Sequence, residues 1–317
     1  MSKMYVSSSP HLRSSASTRK IMLDVLIALV PATVASVVFF GWRALMLVGV
    51  CVFTAVFTEF ICRIVMKREQ TIGDLSAAVT GLLLALNLPS TINPLIGAFG
   101  AVAAIVVVKQ MFGGIGMNFV NPALAARIIL MVSFPTAMTT WTPTAFQGVD
   151  AVSSATPLAA EAGTYSYLQL LLGNHGGSMG ETCALALILG GVYLVIKRVI
   201  APTIPLIYIG TVAVMSVLLS LLPGISLDPL QQILSGGLML GAIFMATDYT
   251  TSPITKWGKV IYAVGCGVLT ILIRVYSNIP EGVSFSILIM NILTPLIENL
   301  TAPRPFGAEK KRKEGAK

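Results

Sequence analysis

Met22-Leu23-Asp24-Val25-Leu26-Ile27-Ala28-Leu29-Val30-Pro31-Ala32-Thr33-Val34-Ala35-Ser36-Val37-Val38-Phe39-Phe40 carries a single charged side chain. A helix crossing a bilayer core needs about 20 mostly apolar residues, and this run supplies one. Further apolar runs follow near 45–65, 75–88, 94–112, 122–134, 181–196, 203–222, 229–246, 259–275 and 283–300. They predict an all-α polytopic membrane protein of about ten transmembrane helices. Composition agrees. Of 317 residues, 55% are hydrophobic and 11% charged, against about 25% charged in soluble chains. The mean hydropathy is +0.85.

The third and fifth runs are short for a full span. The third leads into Asn87-Leu88-Pro89-Ser90, and the fifth follows Gly113-Gly114-Ile115-Gly116. Interrupted segments at membrane depth predict broken or re-entrant helices that line a site. Five runs precede a long polar loop and five follow it, so the two halves have opposite orientations, as in inverted-repeat folds. The whole chain, 1–317, reads as a single integral membrane domain. Its first half is 1–134, the outer loop 135–180, the second half 181–300 and the basic tail 301–317. A glycine-rich stretch with a polar knot at 112–122, and a second knot at 246–253, are the candidate repeat equivalents.

Lys and Arg concentrate in cytoplasmic loops. Here they sit in the N-terminal stretch (Arg13, Arg19, Lys20), after run two (Lys67, Arg68), at the end of run four (Lys109), after run six (Lys197, Arg198), around run nine (Lys256, Lys259) and in the tail (Lys310, Lys311, Arg312, Lys313, Lys317). The opposite loops hold only Arg43 and Arg274, and 133–180 holds none. Both termini are therefore expected in the cytoplasm and Thr182 at the outer face of an inner (cytoplasmic) membrane. The first run lacks a small-residue cleavage site and reads as a retained helix.

A net charge of +8 reads as this topology signal and not as a nucleic-acid patch, because no basic stretch is interleaved with aromatics. Cys51, Cys62, Cys183 and Cys266 form no C-x-x-C pair and no zinc or iron–sulfur ligand set. No metal site and no catalytic constellation of side chains is expected. His11 and His175 read as isolated.

Ser178-x-x-Glu181 has capping-box spacing and puts Thr182 in the first turn of run six, where free N–H groups favour an anion. The same spacing also describes a capped helix with an incidental threonine. Asn118 and Asn121 converge whether their segment is helical or a turn. Asp248 is a carboxylate near the membrane, functional by default. All three also suit the role of caps on broken helices. Glu59 and Arg63 have i,i+4 ion-pair spacing, Arg127 lies one turn into run five, and Asp24 and Asp74 stand near helix starts.

Four ordered stretches resemble one family. They are Ser7-Ser8-Ser9-Pro10-His11 with Arg13, Asn118-Phe119-Val120-Asn121-Pro122-Ala123, Gly180-Glu181-Thr182-Cys183-Ala184-Leu185-Ala186 with Gly190-Gly191, and Met245-Ala246-Thr247-Asp248 with Thr251-Ser252-Pro253. The chain is similar to the RnfD/NqrB family of membrane subunits, and its short N-terminus places it on the RnfD side. That resemblance implies an electron-transferring subunit of an ion-translocating (Na+ or H+) ferredoxin:NAD+ oxidoreductase. It implies FMN joined through its phosphate to Thr182 by a separate flavin transferase. It further implies a second, non-covalent flavin, or riboflavin, near Asn118, Asn121 and Asp248. The A, B, C, E and G subunits of the Rnf complex would be its partners, with the lipid bilayer around it. The chain departs from the commoner S-G-A-T pattern, having Gly180-Glu181 before the threonine and Cys183 where serine is frequent. Two other classes fit parts of the pattern: an NqrB-type subunit acting on quinone, and a transporter or channel of inverted-repeat fold with no redox role.

Overall fold

The computed structural model describes residues 17–141, 144, 158, 165–223, 225–277 and 282–303. The stretch around Ser7–His11, the basic tail and most of the outer loop lie outside them. All ten apolar runs are helical, and the described residues contain no strand. The chain is an all-α polytopic membrane protein.

The first half holds α1 (Thr18–Phe40), α2 (Trp42–Val65), α3 (Ser76–Leu86), α4 (Pro94–Ala103) and α5 (Pro122–Ser133). A π-helical stretch, Ala104–Gln110, extends α4. Two short helices follow, α6 (Pro135–Thr139) and α7 (Tyr167–Leu172). The second half holds α8 (Ala184–Ile196), α9 (Thr203–Ser220), α10 (Pro229–Leu234), α11 (Leu238–Leu240), α12 (Lys256–Tyr276) and α13 (Val283–Thr301). Here too a π-helical stretch, Gly241–Met245, extends α11.

Five helices, α1, α2, α9, α12 and α13, are long and apolar enough to cross a membrane. The expected shortness of the third and fifth runs holds: α3 has 11 residues and α5 has 12. Two elements differ from the sequence pattern. Run six begins at Ala184, because residues 174–183 form an irregular buried segment. Run eight is cut at Ser235-Gly236-Gly237 into α10 and α11, with Gly236 at φ +65.

Non-helical backbone at this depth must be satisfied by protein. The Met179 amide donates to Leu88 O at 3.1 Å and the Gly180 amide to Leu86 O at 2.7 Å. Ser36 Oγ donates to Met179 O at 2.7 Å. The 174–183 segment is thus stitched to the unwound end of α3 and to the far part of α1.

Crossing directions follow from these ties. Thr18 at the start of α1 lines a cavity on one face, and Ser36 near its end reaches the opposite, Thr182 side. Thr255 and Thr301, at the start of α12 and the end of α13, are bonded at 2.6 Å, which returns the last helix to the cavity face. The knots at 112–122 and 246–253 both lie on that face and line the same cavity. An in-plane two-fold exchanges opposite faces, so these knots are not the pair that an inverted repeat would exchange.

Close approach of α1 and α8 depends on Gly190. A Cβ there would collide with Ala28 O and meet the Phe244 ring at 3.0 Å. Gly190→Val is expected to cost about 1–3 kcal/mol through overpacking, read as a lower unfolding temperature in detergent. An unchanged unfolding temperature would mean that the two helices separate freely.

The second half is also more polar inside than its sequence suggests. Tyr208 OH lies 2.6 Å from Thr270 Oγ1 and 3.0 Å from Ser286 Oγ, tying α9, α12 and α13. Tyr262 OH and the Asn291 side-chain amide are bonded at 2.7 Å.

Candidate functional site

The cavity has a volume of about 280 Å³. Apolar walls come from Ile21 and Val25 of α1, Leu83 of α3, Leu194 of α8 and Phe244 of the second π stretch. Polar groups enter from Ser76, Lys109, Asn118, Asn121, Asp248 and Thr250. The three residues singled out by the knots, from segments more than a hundred residues apart, therefore meet at one site.

Each of the three also has a local structural task. Asn121 is the N-cap of α5: Oδ1 accepts from the amides of Ala123 at 3.0 Å and Leu124 at 3.4 Å. Its Nδ2 donates to Met245 O at 3.3 Å, which joins α5 to the second π stretch. Asn118 Nδ2 donates to Val120 O at 3.0 Å. Asp248 accepts from Thr250 Oγ1 at 3.1 Å and Thr251 Oγ1 at 3.3 Å. Burial pushes the Asp248 carboxyl above its ordinary range, against the pull of these donors. Capping and lining the cavity are thus combined in the same side chains.

The expected Glu59–Arg63 pair is not formed. Glu59 is completely buried and pairs with Lys109 Nζ at 3.0 Å. Gln110 Nε2 at 2.8 Å and Thr71 Oγ1 at 3.2 Å complete its shell. Arg63 is instead packed under the Gly114 turn, where an added Cβ would collide with its Nη2. Lys109, a loop cation by the charge pattern, is only 2% exposed. Asp74 does serve a helix start, accepting from the Ser76 amide at 2.8 Å.

Thr182 lies at the other end of α8, whose 13 residues at 1.5 Å each separate the two sites by about 20 Å. It is fully buried and precedes the N-cap, Cys183, so it is not in the first helical turn. Its Oγ1 donates to Met179 O at 3.4 Å, a long and weak bond. The Ser178/Glu181 capping box is absent. Glu181 turns its carboxylate to Arg127 Nη2 at 3.1 Å, both groups being buried. A buried cation left without its anion would cost more than a cap bond returns, so the ion pair wins. Arg127 also donates to Asn87 Oδ1, at the break after α3. Ser178 Oγ is buried with no hydrogen-bond partner among the described residues. His175 is buried, its Nδ1 lies 3.2 Å from Gly176 O, its Nε2 has no hydrogen-bond partner among the described residues, and burial holds it below its ordinary range.

No local pattern joins Asn87, Arg127 and Glu181. Their separations of 40 and 54 residues leave only two separate signals in the sequence, the Asn87 break and the Arg127 charge.

This arrangement, a polar-lined cavity on one face and a buried threonine segment toward the other, coincides with a family match. Residues 5–307 match the sequence profile of the NQR2, RnfD, RnfE family. The chain belongs to the NQR2, RnfD, RnfE family. It is similar to the D subunit of the Na(+)-translocating ferredoxin:NAD(+) oxidoreductase complex of Acetobacterium woodii, with 49% identity over 98% of this chain and 97% of that protein. It is 44% identical to the D subunit of the proton-translocating ferredoxin:NAD(+) oxidoreductase complex of Clostridium ljungdahlii, over 96% of each chain. The D subunit of an ion-translocating oxidoreductase complex of Stutzerimonas stutzeri is 38% identical over 92% of this chain and 93% of its own length. These NQR2, RnfD, RnfE family relatives are matched along nearly their whole length.

Proposed function

We propose that this chain is the D-type membrane subunit of an ion-translocating ferredoxin:NAD+ oxidoreductase and carries two flavins. One is FMN, esterified through its phosphate to Thr182. The other is a non-covalent flavin or riboflavin, held in the cavity by Asn118, Asn121 and Asp248. The observation that carries the reading is the convergence of these three side chains on one cavity, in a chain whose relatives are the D subunits of such complexes.

The residues suit these groups. Ligand cavities are mostly apolar with a few convergent polar groups, and the amides of Asn118 and Asn121 offer both donors and acceptors. At the other site, a buried hydroxyl with no partner is costly. Ser178 Oγ, four residues before Thr182 in the same buried segment, is such a group, and a phosphate oxygen within its reach would satisfy it. When bound, a flavin supplies one- and two-electron redox chemistry that side chains lack. The chain's own part is to hold, orient and exclude water.

Lys197 and Arg198 flank the cavity-lining Val199 and Ile200, and Lys256 and Lys259 start α12 on the same face. By the positive-inside rule that face, with both termini, is cytoplasmic, and Thr182 lies toward the outer side. The A, B, C, E and G subunits of the Rnf complex are the expected partners, and a flavin transferase matures the chain. The test is flavin stoichiometry in the complex purified after co-expression with the transferase. Acid extraction is expected to release one flavin from this subunit and leave one bound. Recovery of neither would remove the redox reading and favour a transporter.

A further inference from the structure

Lys109 has a position that neither topology nor capping explains. It lines the cavity, and its Nζ donates to Glu59 Oε2 at 3.0 Å and to Ser76 Oγ at 2.6 Å. Glu59 is not part of the cavity wall. An ammonium has three donors, so two bonds leave one N–H on a side chain that lines the cavity. Asn118, Asn121 and Asp248 line the same space. A Lys–Glu pair that only stapled α2 to α4 would have no need to line this space, and such a pair is often replaceable by apolar side chains at little cost.

We infer that Lys109 sets the redox poise of the ring bound in this cavity, its ammonium favouring the reduced and more negative form. The inference rests on the proposed non-covalent flavin. When bound, a flavin would gain one negative charge for each electron, supplied by reduced ferredoxin in the proposed reaction, that it takes up without a matching proton. No bond of the chain is made or broken. The charge on Lys109 is felt strongly because the surroundings are poorly polarisable. A group that binds one state better than another shifts the equilibrium by that difference. Lys109 is in this sense a positioning and potential-setting residue.

The experiment is a spectroscopic redox titration of the purified complex. It compares wild type, Lys109→Met, Lys109→Arg and the double variant Glu59→Gln/Lys109→Met, with acid-extractable flavin counted in each. In Lys109→Met the reduced-to-oxidised ratio of the extractable flavin at fixed potential is expected to fall at least tenfold, about 59 mV for a one-electron step. Lys109→Arg keeps the charge and stays near wild type. The double variant leaves no unpaired buried carboxylate, so it carries the test if Lys109→Met fails to fold. Its ratio also falls, because the charge removed from the cavity wall is positive. The flavin on Thr182, about 20 Å away, is the internal control and should not move. An unchanged ratio with flavin still bound, or an equal shift of both flavins, would overturn the inference and leave Lys109 a staple. Wild type with no extractable flavin would overturn the cavity reading itself.

Discussion

Arg127→Met is expected to destabilise the protein by about 3–5 kcal/mol, the cost of breaking a buried pair from one side. Arg127 is 1% exposed and Glu181 3%. Removing the guanidinium leaves the buried carboxylate without its ion-pair partner, with Arg274, beyond ion-pair distance, still acting on its charge. It also frees Asn87 Oδ1, so the break after α3 loses its tie to α5. The Glu181 segment includes Thr182, and covalent flavin is expected to fall with stability. Replacing both charges, Arg127→Met with Glu181→Gln, should recover most of the loss, because an apolar or neutral pair of similar size is often as stable as the ions. Thermal unfolding in detergent, followed for both variants, checks this. A double variant as unstable as the single would show that the uncompensated charge is not the cause.

Asn121→Leu is expected to reduce extractable flavin at least tenfold while leaving covalent flavin in place. Two effects combine. The cap on α5 is lost, at about 1 kcal/mol, and so is an amide that lines the cavity. Asn121→Ser separates them. A serine still caps the helix about as well and adds no buried charge. It has no side-chain amide to give to Met245 O or to a ligand. Asn121→Ser should therefore stay more stable than Asn121→Leu and still lose the extractable flavin. Normal flavin content in both variants would move the non-covalent site away from this cavity.

Helix existence is legible in the sequence because an apolar run of about 20 residues has few other fates. Helix ends are less so. The capping-box spacing of Ser178 and Glu181 predicts a helix capped at Ser178, with Thr182 in its first turn. That local preference loses to a charge 54 residues away, Arg127. The Glu59–Arg63 expectation fails for the same reason: i,i+4 spacing permits a pair, but Lys109, 50 residues distant, takes the carboxylate. Neighbours in sequence compete with partners supplied only by the fold, and in a low-dielectric interior the better-buried partner wins.

The cavity is half legible. Asn118, Asn121 and Asp248 stand out as polar groups at broken helices, which membranes rarely tolerate without a purpose. That they share one face needs the crossing directions of α4, α5 and α11. The knots also mislead, since their similarity suggests repeat equivalence and their position excludes it.

Attachment of flavin to Thr182 is read from fluorescence of the denatured chain in a gel, after co-expression with its flavin transferase, beside Thr182→Ala. A fluorescent wild-type band that survives denaturation is expected, with a dark mutant band. A dark wild-type band, with the transferase shown to be active on another substrate, would mean that Thr182 carries no flavin.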